Sequence, residues 1–178
     1  MTQDALTTDT LELRPIAPQD AQAIFAYRSD SSTNRFQNFI PSKLEEVHDF
    51  IAEKAEDMNE IGACFQLVII HSESAKIIGD IGLYFLDDAQ VEVDITLAKA
   101  YHNKSYATEA LTTIIDLLFK QVHKHRIIAS TDPRNSSAIR LLERLGFRQE
   151  AHFIQSYYYQ GEWLDDVQFG LLSSEWIE

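Results

Sequence analysis

Between residues 91 and 122 the chain switches from one hydrophobic period to another, and the switch limits what it can fold into. VEVDITLA (residues 91–98) alternates apolar and polar residues, as a half-buried strand does. TEALTTIIDLLFKQV (residues 108–122) carries apolar residues at helical spacing. YHNKSYATEAL (residues 101–111) holds the polar loop between them and the start of the helix. A strand, a short polar loop and a helix N-terminus form a potential anion cradle. Unpaired backbone N–H groups and the positive end of the helix dipole converge there. The loop has none of the glycines that such cradles usually contain.

The flanking segments extend this pattern into a mixed α/β order. TLELRPI (residues 10–16) alternates as a strand, and Pro18 and Asp20 open a first helix through Ala21, Ile24, Phe25 and Arg28. After a polar and aromatic connection, Ser42 and Glu45 have the spacing of a capping box. They predict a second helix to about Asp57, with Val47, Phe50 and Ile51 on its inner face. FQLVII (65–70) and KIIGDIGLYFL (76–86) predict a hairpin, and 91–98 continues the meander. HRIIAST (125–131) predicts a short buried strand, and SSAIRLLERLGF a helix stopped by Gly146. QSYYYQGEWLDDVQFGLL predicts two strands around a Gln-Gly turn.

The 178 residues suit one domain with a sizeable core, with no repeat or linker dividing it. No apolar run approaches the roughly 20 residues of a membrane span, and the N-terminus lacks the pattern of a signal peptide. The single cysteine, Cys64, excludes an intrachain disulfide and fits a reduced, cytoplasmic setting. No metal is expected, since His48, His71, His123, His125 and His152 show no ligand spacing. The net charge of −13 argues against nucleic acid as the main partner and favours a cationic one, although acidity also serves solubility. Lys99, His102, Lys104, Arg134 and Arg140 supply local positive charge near the segments that matter.

Three segments together resemble the GCN5-related N-acetyltransferase (GNAT) superfamily, and within it the branch containing the ribosomal-protein-alanine acetyltransferases. They are VEVDITLAKAYHNKSYATEAL, DPRNSSAIRLLERLGF and YYYQGEWLDDVQFGLLSSEW, in that order. The resemblance covers nearly the whole chain. It implies a single α+β domain over residues 1–178, with a mixed, mostly antiparallel sheet flanked by helices and opened centrally to admit acetyl-CoA. It implies transfer of the acetyl group to a primary amine without a metal. The acceptor would be a protein N-terminal α-amine or a small molecule, and the alternative is a CoA-binding sensory module with little catalysis. The closing hairpin could also supply the edge of a homodimer.

The resemblance also implies roles for individual residues. The pantetheine arm would run beside residues 91–98, using backbone groups near Ile95 and Leu97. The pyrophosphate would meet the loop of His102, Asn103, Lys104, Ser105, Tyr106, Ala107 and Thr108. His102 stands where the family has Gln or Arg, and Ser105 where it has Gly. Asn135 matches the Asn that bonds the cofactor arm, and it also suits a helix N-cap. Glu92 is the first candidate base. Asp94 shares its strand face, so either carboxylate could attract a cationic amine. Arg35, Phe36 and Phe39 border the expected acceptor site, and Tyr158 is placed at its mouth, on the opposite face from Tyr157 and Tyr159. The family's proton donor to the departing thiolate would be a Tyr at Leu142 or a Ser at Ala138. Neither is present, and Ser137 is turned about 100° away on the helix.

Overall fold

The computed structural model describes residues 5–176. Eight strands form one sheet in the order β1-β2-β3-β4-β5-β6-β8-β7. They are β1 (Leu6–Thr7), β2 (Leu11–Pro15), β3 (Cys64–His71), β4 (Lys76–Phe85), β5 (Gln90–Leu97), β6 (Arg126–Thr131), β7 (Arg148–Tyr159) and β8 (Glu162–Leu172). All neighbours pair antiparallel except β5 and β6. Four α-helices flank the sheet: α1 (Ala21–Arg28), α2 (Leu44–Ala52), α3 (Tyr106–Asp116) and α4 (Ser136–Arg144).

The parallel pair opens the sheet. Gln90–Glu92 pair with Arg126–Ile128, and there the ladder between these strands ends. Beyond that point β5 continues to Leu97 paired only with β4, while β6 continues to Thr131 paired only with β8. The expected central opening is therefore present. It exposes backbone on a strand that would otherwise lie inside the sheet.

Strand alternation divides the two faces. Val91 and Val93 pack with Ala110, Leu111 and Ile114 of α3 in the larger core. The opposite face carries Glu92 and Asp94 from β5, with Asp80 and Gly82 of β4 beside them. A smaller core forms on that side from α1 and α2, with Ile24, Tyr27, Val47 and Ile51 packed on Val68. The helix α4 ends where predicted. Gly146 has φ +87°, and the Phe147 and Gly146 N–H groups bond the Leu142 and Glu143 carbonyls at 3.0 Å each. Gln160 and Gly161 both have positive φ, which suits the tight turn between β7 and β8.

Three boundaries differ from expectation. The helix α2 starts one residue later, with extended Lys43 at its cap. Glu46, rather than Glu45, reaches back to the Ser42 N–H (2.7 Å) and hydroxyl (3.1 Å). The same helix stops at Ala52 because the chain turns, and the Ala55 N–H bonds the Cys64 carbonyl of β3. Finally, β7 begins at Arg148, well before the YYY run. Its pairing with β8 is broken by register shifts, and Gln155 sits at φ +47°. These irregularities hide the strand's period in the sequence.

Candidate active site

The segment 101–108 leaves β5 through a short turn and enters α3. Asn103 and Ser105 both take left-handed backbone conformations, at φ +58° and +65°. Ser105 is the α3 cap residue, but its side chain makes no capping bond. The first helical bond runs from the Glu109 N–H to the Ser105 carbonyl, so the N–H groups of Tyr106, Ala107 and Thr108 have no helical partner. These three residues line a cavity of about 590 Å3 together with Asn103, Lys104, Ser105 and Arg144. Backbone N–H groups in such a turn form an anion nest.

The missing glycine is thus met by serine in a glycine-like conformation. For a non-glycine residue this costs on the order of 1–2 kcal/mol. Ser105→Gly should remove that strain, while glycine's looser unfolded chain returns roughly 0.5–1 kcal/mol. We expect Ser105→Gly to raise thermal stability by up to about 1 kcal/mol, a shift of about 2–4 °C in Tm, with acetyl-CoA affinity retained. A fall in Tm would contradict the strain.

Around the nest several side chains are held by neighbours. Tyr106 turns away, and its hydroxyl lies 3.1 Å from His71 Nε2. The Tyr101 ring lies tilted against Tyr106 at 6.0 Å, and Lys104 lies over the Tyr101 ring at 5.5 Å. Thr108 Oγ1 accepts a bond from Arg144 at 3.0 Å. Arg144 lies one turn after Arg140 on α4, and sequence reasoning passed it over. His102 Nε2 donates to the Leu97 carbonyl at 2.8 Å, and Gln37 Nε2 approaches the Ile95 carbonyl at 3.5 Å. Protein groups therefore already occupy both carbonyls named for the cofactor arm.

A second cavity of about 720 Å3 adjoins the first, and both are lined by Phe36, Gln37, Ile95, Asn135, Ala138 and Leu141. Its wall carries Glu92 and Asp94 from β5 and Asp166 from β8. Burial is the main cause raising the Glu92 carboxyl above its ordinary value. The charges of Asp94 and Asp166 add to the rise, and a hydrogen bond with Ser130 of β6 opposes it. Asp166 is raised by burial and by Asp132, and is likewise opposed by Ser130. Asp94 opens to solvent through the cavity but is crowded by protein on its other sides. That crowding raises its carboxyl, with help from Asp80 and opposition from Arg28 and Lys54.

A buried network supports this acidic wall. Asp80 is fully buried and accepts bonds from Arg28 Nε (3.0 Å), Gln66 Nε2 (2.6 Å) and the Tyr27 hydroxyl. The Arg28 guanidinium lies near the stacked rings of Phe39 and Phe50, at 5.7 and 5.4 Å from their centroids. Gly82, the cross-strand partner of Asp94, leaves room for the Asp94 carboxylate. A Cβ there would fall inside contact distance of Asp94 Oδ2 and 3.1 Å from Gln66 Oε1. Gly82→Ala should displace Asp94 and lower kcat/KM for the acceptor about tenfold, roughly 1.4 kcal/mol, with acetyl-CoA binding unchanged. Equal kcat/KM in steady-state assays would show that the Asp94 position is immaterial.

The other candidates separate. Phe36 and Phe39 line the acidic cavity, and Phe36 also lines the first. Arg35 lies on the first cavity only, its guanidinium over the Phe36 ring at 4.4 Å. Tyr158 does point away from Tyr157, as alternation requires, but this takes it out of the cavity. It is 61% exposed and packs on Trp163, while Tyr157 lines the cavity. Asn135 caps α4, its Oδ1 accepting from the Ala138 N–H at 3.2 Å, and it lines both cavities. Arg134 is paired with Asp132 through Nε (2.9 Å) and a second nitrogen (2.6 Å). Among the described residues no group of three or more His, Cys, Asp or Glu could hold a metal ion, and no helix is long and apolar enough to cross a membrane.

Residues 10–148 match the family model of the acetyltransferase (GNAT) domain. The chain belongs to the GNAT acetyltransferase family. An uncharacterised N-acetyltransferase of Bacillus subtilis (strain 168) is 29% identical, over 96% of this chain and 98% of the relative. The ribosomal protein uS5-alanine N-acetyltransferase of Escherichia coli (strain K12) is 24% identical, over 96% of this chain and 92% of the relative. Among solved structures, spermidine N-acetyltransferase from Vibrio cholerae, in complex with CoA and spermine, superposes with a TM-score of 0.82 at 18% identity. The alignment covers 96% of this chain and all of that one. The single α+β domain with its opened eight-stranded sheet is thus a GNAT fold, and the chain is an acetyl-transferring enzyme. GNAT enzymes use acetyl-CoA. The unpaired N–H groups, the left-handed turn and the cation at Arg144 form a set able to hold its phosphates.

Proposed function

We propose that this GNAT enzyme acetylates a primary amine that reaches Glu92 and Asp94 as a cation, the acceptor being a protein N-terminal α-amine. The observation that carries the reading is the junction of the two cavities, one built around an anion nest and the other around carboxylates. The nest of 103–108 would hold the pyrophosphate of acetyl-CoA. Asn135 and the open edge of β5 near Ile95 and Leu97 would guide its arm, after Gln37 and His102 release the two carbonyls. Bound acetyl-CoA supplies an activated acyl group.

The protein's part is to deliver a neutral amine to that group. At pH 7 an α-amine with pKa about 7.7–8.0 is roughly 10–20% neutral, whereas a lysine amine is about 0.04% neutral. An α-amine therefore needs only a weak base. Glu92, raised above its ordinary value by burial and by Asp94 and Asp166, is a stronger base than an ordinary carboxylate. Asp94 and Asp166 attract the ammonium form, and Phe36 and Phe39 wall the site.

A small di- or polyamine is the second reading. Asp166 favours it, because a single ammonium does not need Glu92, Asp94 and Asp166 together; the cavity's fourth carboxylate, Asp132, is already paired with Arg134. Mass detection of N-acetyl product over a panel of N-terminal peptides and linear di- and polyamines tests both readings. Transfer to alanine-type N-termini with no transfer to polyamines supports the first, and the converse supports the second. Saturable acetyl-CoA binding without transfer to either class would overturn the proposal.

A further inference from the structure

The residues where the family carries its proton donor to sulfur are Leu142, packed in the core, and Ala138, which has no donor. The departing sulfur must still gain a proton. Thr131 and Ser156 line the acidic cavity, but an alkyl hydroxyl is a far weaker acid than a phenol. Ser137 lines only the nest-side cavity. Ser130 is engaged by Glu92 and Asp166. Tyr84 lies across β5 from this helix, as the cross-strand partner of Glu92. Tyr157 is different. It comes from β7 and lines the same cavity as Asn135, Ala138, Leu141 and Leu142. Its phenol stands within the electrostatic reach of Asp132 and Arg134, which belong to the turn that presents Asn135.

We propose that Tyr157 is the catalytic proton donor to the CoA sulfur in this enzyme, replacing the donors missing at Leu142 and Ala138. The inference rests on the acetyl-transfer reading. Tyr157 Oη gives its proton to sulfur as the sulfur–acyl bond breaks and its electron pair passes to sulfur. The amine nitrogen forms the new bond to the acyl carbon and loses its extra proton to Glu92 or water. The phenolate then regains a proton from solvent. Burial and the charges of Asp132 and Asp166 raise the phenol above its ordinary value, against Arg134. The proton is therefore retained at neutral pH until sulfur calls for it.

The test compares Tyr157→Phe with wild type, using Tyr158→Phe as an outward-facing control. The first readout is independent of turnover. The thiol of enzyme-bound CoA is titrated by its ultraviolet thiolate absorbance, since a phenol donor stabilises the thiolate. Tyr157→Phe should raise the bound thiol's pKa, and Tyr158→Phe should not. In steady state Tyr157→Phe should lower kcat about 10–100-fold, toward the weak end of general acid catalysis because a thiol with pKa near 8.5 leaves readily. Acetyl-CoA affinity should stay within about twofold, and the alkaline limb of the kcat profile should be lost. An unchanged thiol pKa and unchanged kcat, with CoA still bound, would overturn the role of Tyr157 alone. Failure of the wild type to bind CoA would remove the acetyl-transfer reading and this inference with it.

Discussion

Glu92→Gln is expected to lower kcat for acetyl transfer about 10²–10⁴-fold while acetyl-CoA binds as before. The amide keeps the shape of the carboxylate and removes its capacity to accept a proton. The pH profile gives an independent check. A base works when ionised, and burial, Asp94 and Asp166 all raise Glu92. The acid limb of kcat/KM should therefore lie above the range of an ordinary glutamate. Asp166→Asn removes one like charge, so it should move that limb down, though only in part because burial is the larger cause. The same shifts bear on stability. A carboxyl raised by folding favours the fold below its unfolded value, and that contribution is lost as pH rises through the folded one. Asp166→Asn should thus raise Tm at neutral pH while weakening acceptor use. An acid limb in the ordinary glutamate range, or full activity in Glu92→Gln, would remove Glu92 from the mechanism.

Asp80→Ala is expected to destabilise the protein by about 3–5 kcal/mol, the loss typical when one member of a buried ion pair is removed. It strands three groups at once: the Arg28 guanidinium, the Gln66 amide and the Tyr27 hydroxyl. A domain of this size has about 5–15 kcal/mol to lose, and each kcal/mol moves Tm by about 2–4 °C. Thermal denaturation should show a drop of roughly 10 °C. Arg28→Met combined with Asp80→Leu should recover much of it, since replacing both charges leaves none unpaired. A loss below about 1 kcal/mol in Asp80→Ala would mean that water reaches the network. Activity should fall in the double variant, because Arg28 is one of the two positive charges that oppose the rise of Asp94.

How far the site was legible in the sequence depends on how local each part is. Glu92 and Asp94 were readable as a pair because alternation in VEVDITLA puts them on one face. The nest was readable because strand, loop and helix follow each other directly. Ser105 stood out as a departure, though only the backbone reveals that it adopts the glycine conformation. Asp166 and Ser130 were missed, and Tyr158 was chosen over Tyr157 within the YYY run, for a common reason. They come from β8, β6 and β7, and β8 inserts between the other two. Their meeting with Glu92 depends on that crossing and on an opening that begins only after Ile128. The register shifts within β7 decide that Tyr157 faces in and Tyr158 faces out, and nothing in the YYY run marks which of the two faces is the cavity. The shortened α2 has a similar origin, because it is ended by a bond to β3 rather than by a local stop residue.

In the proposed mechanism one continuous opening joins the nest of 103–108 to the acidic wall of Glu92, Asp94 and Asp166. A crystal structure with bound CoA tests it most directly. The pyrophosphate should lie on the N–H groups of the 103–108 turn, with the Leu97 and Ile95 carbonyls released by His102 and Gln37 and the sulfur at the junction beside Asn135, facing Glu92 and Tyr157. A pyrophosphate bound away from that turn, or a sulfur directed away from the acidic cavity, would contradict it.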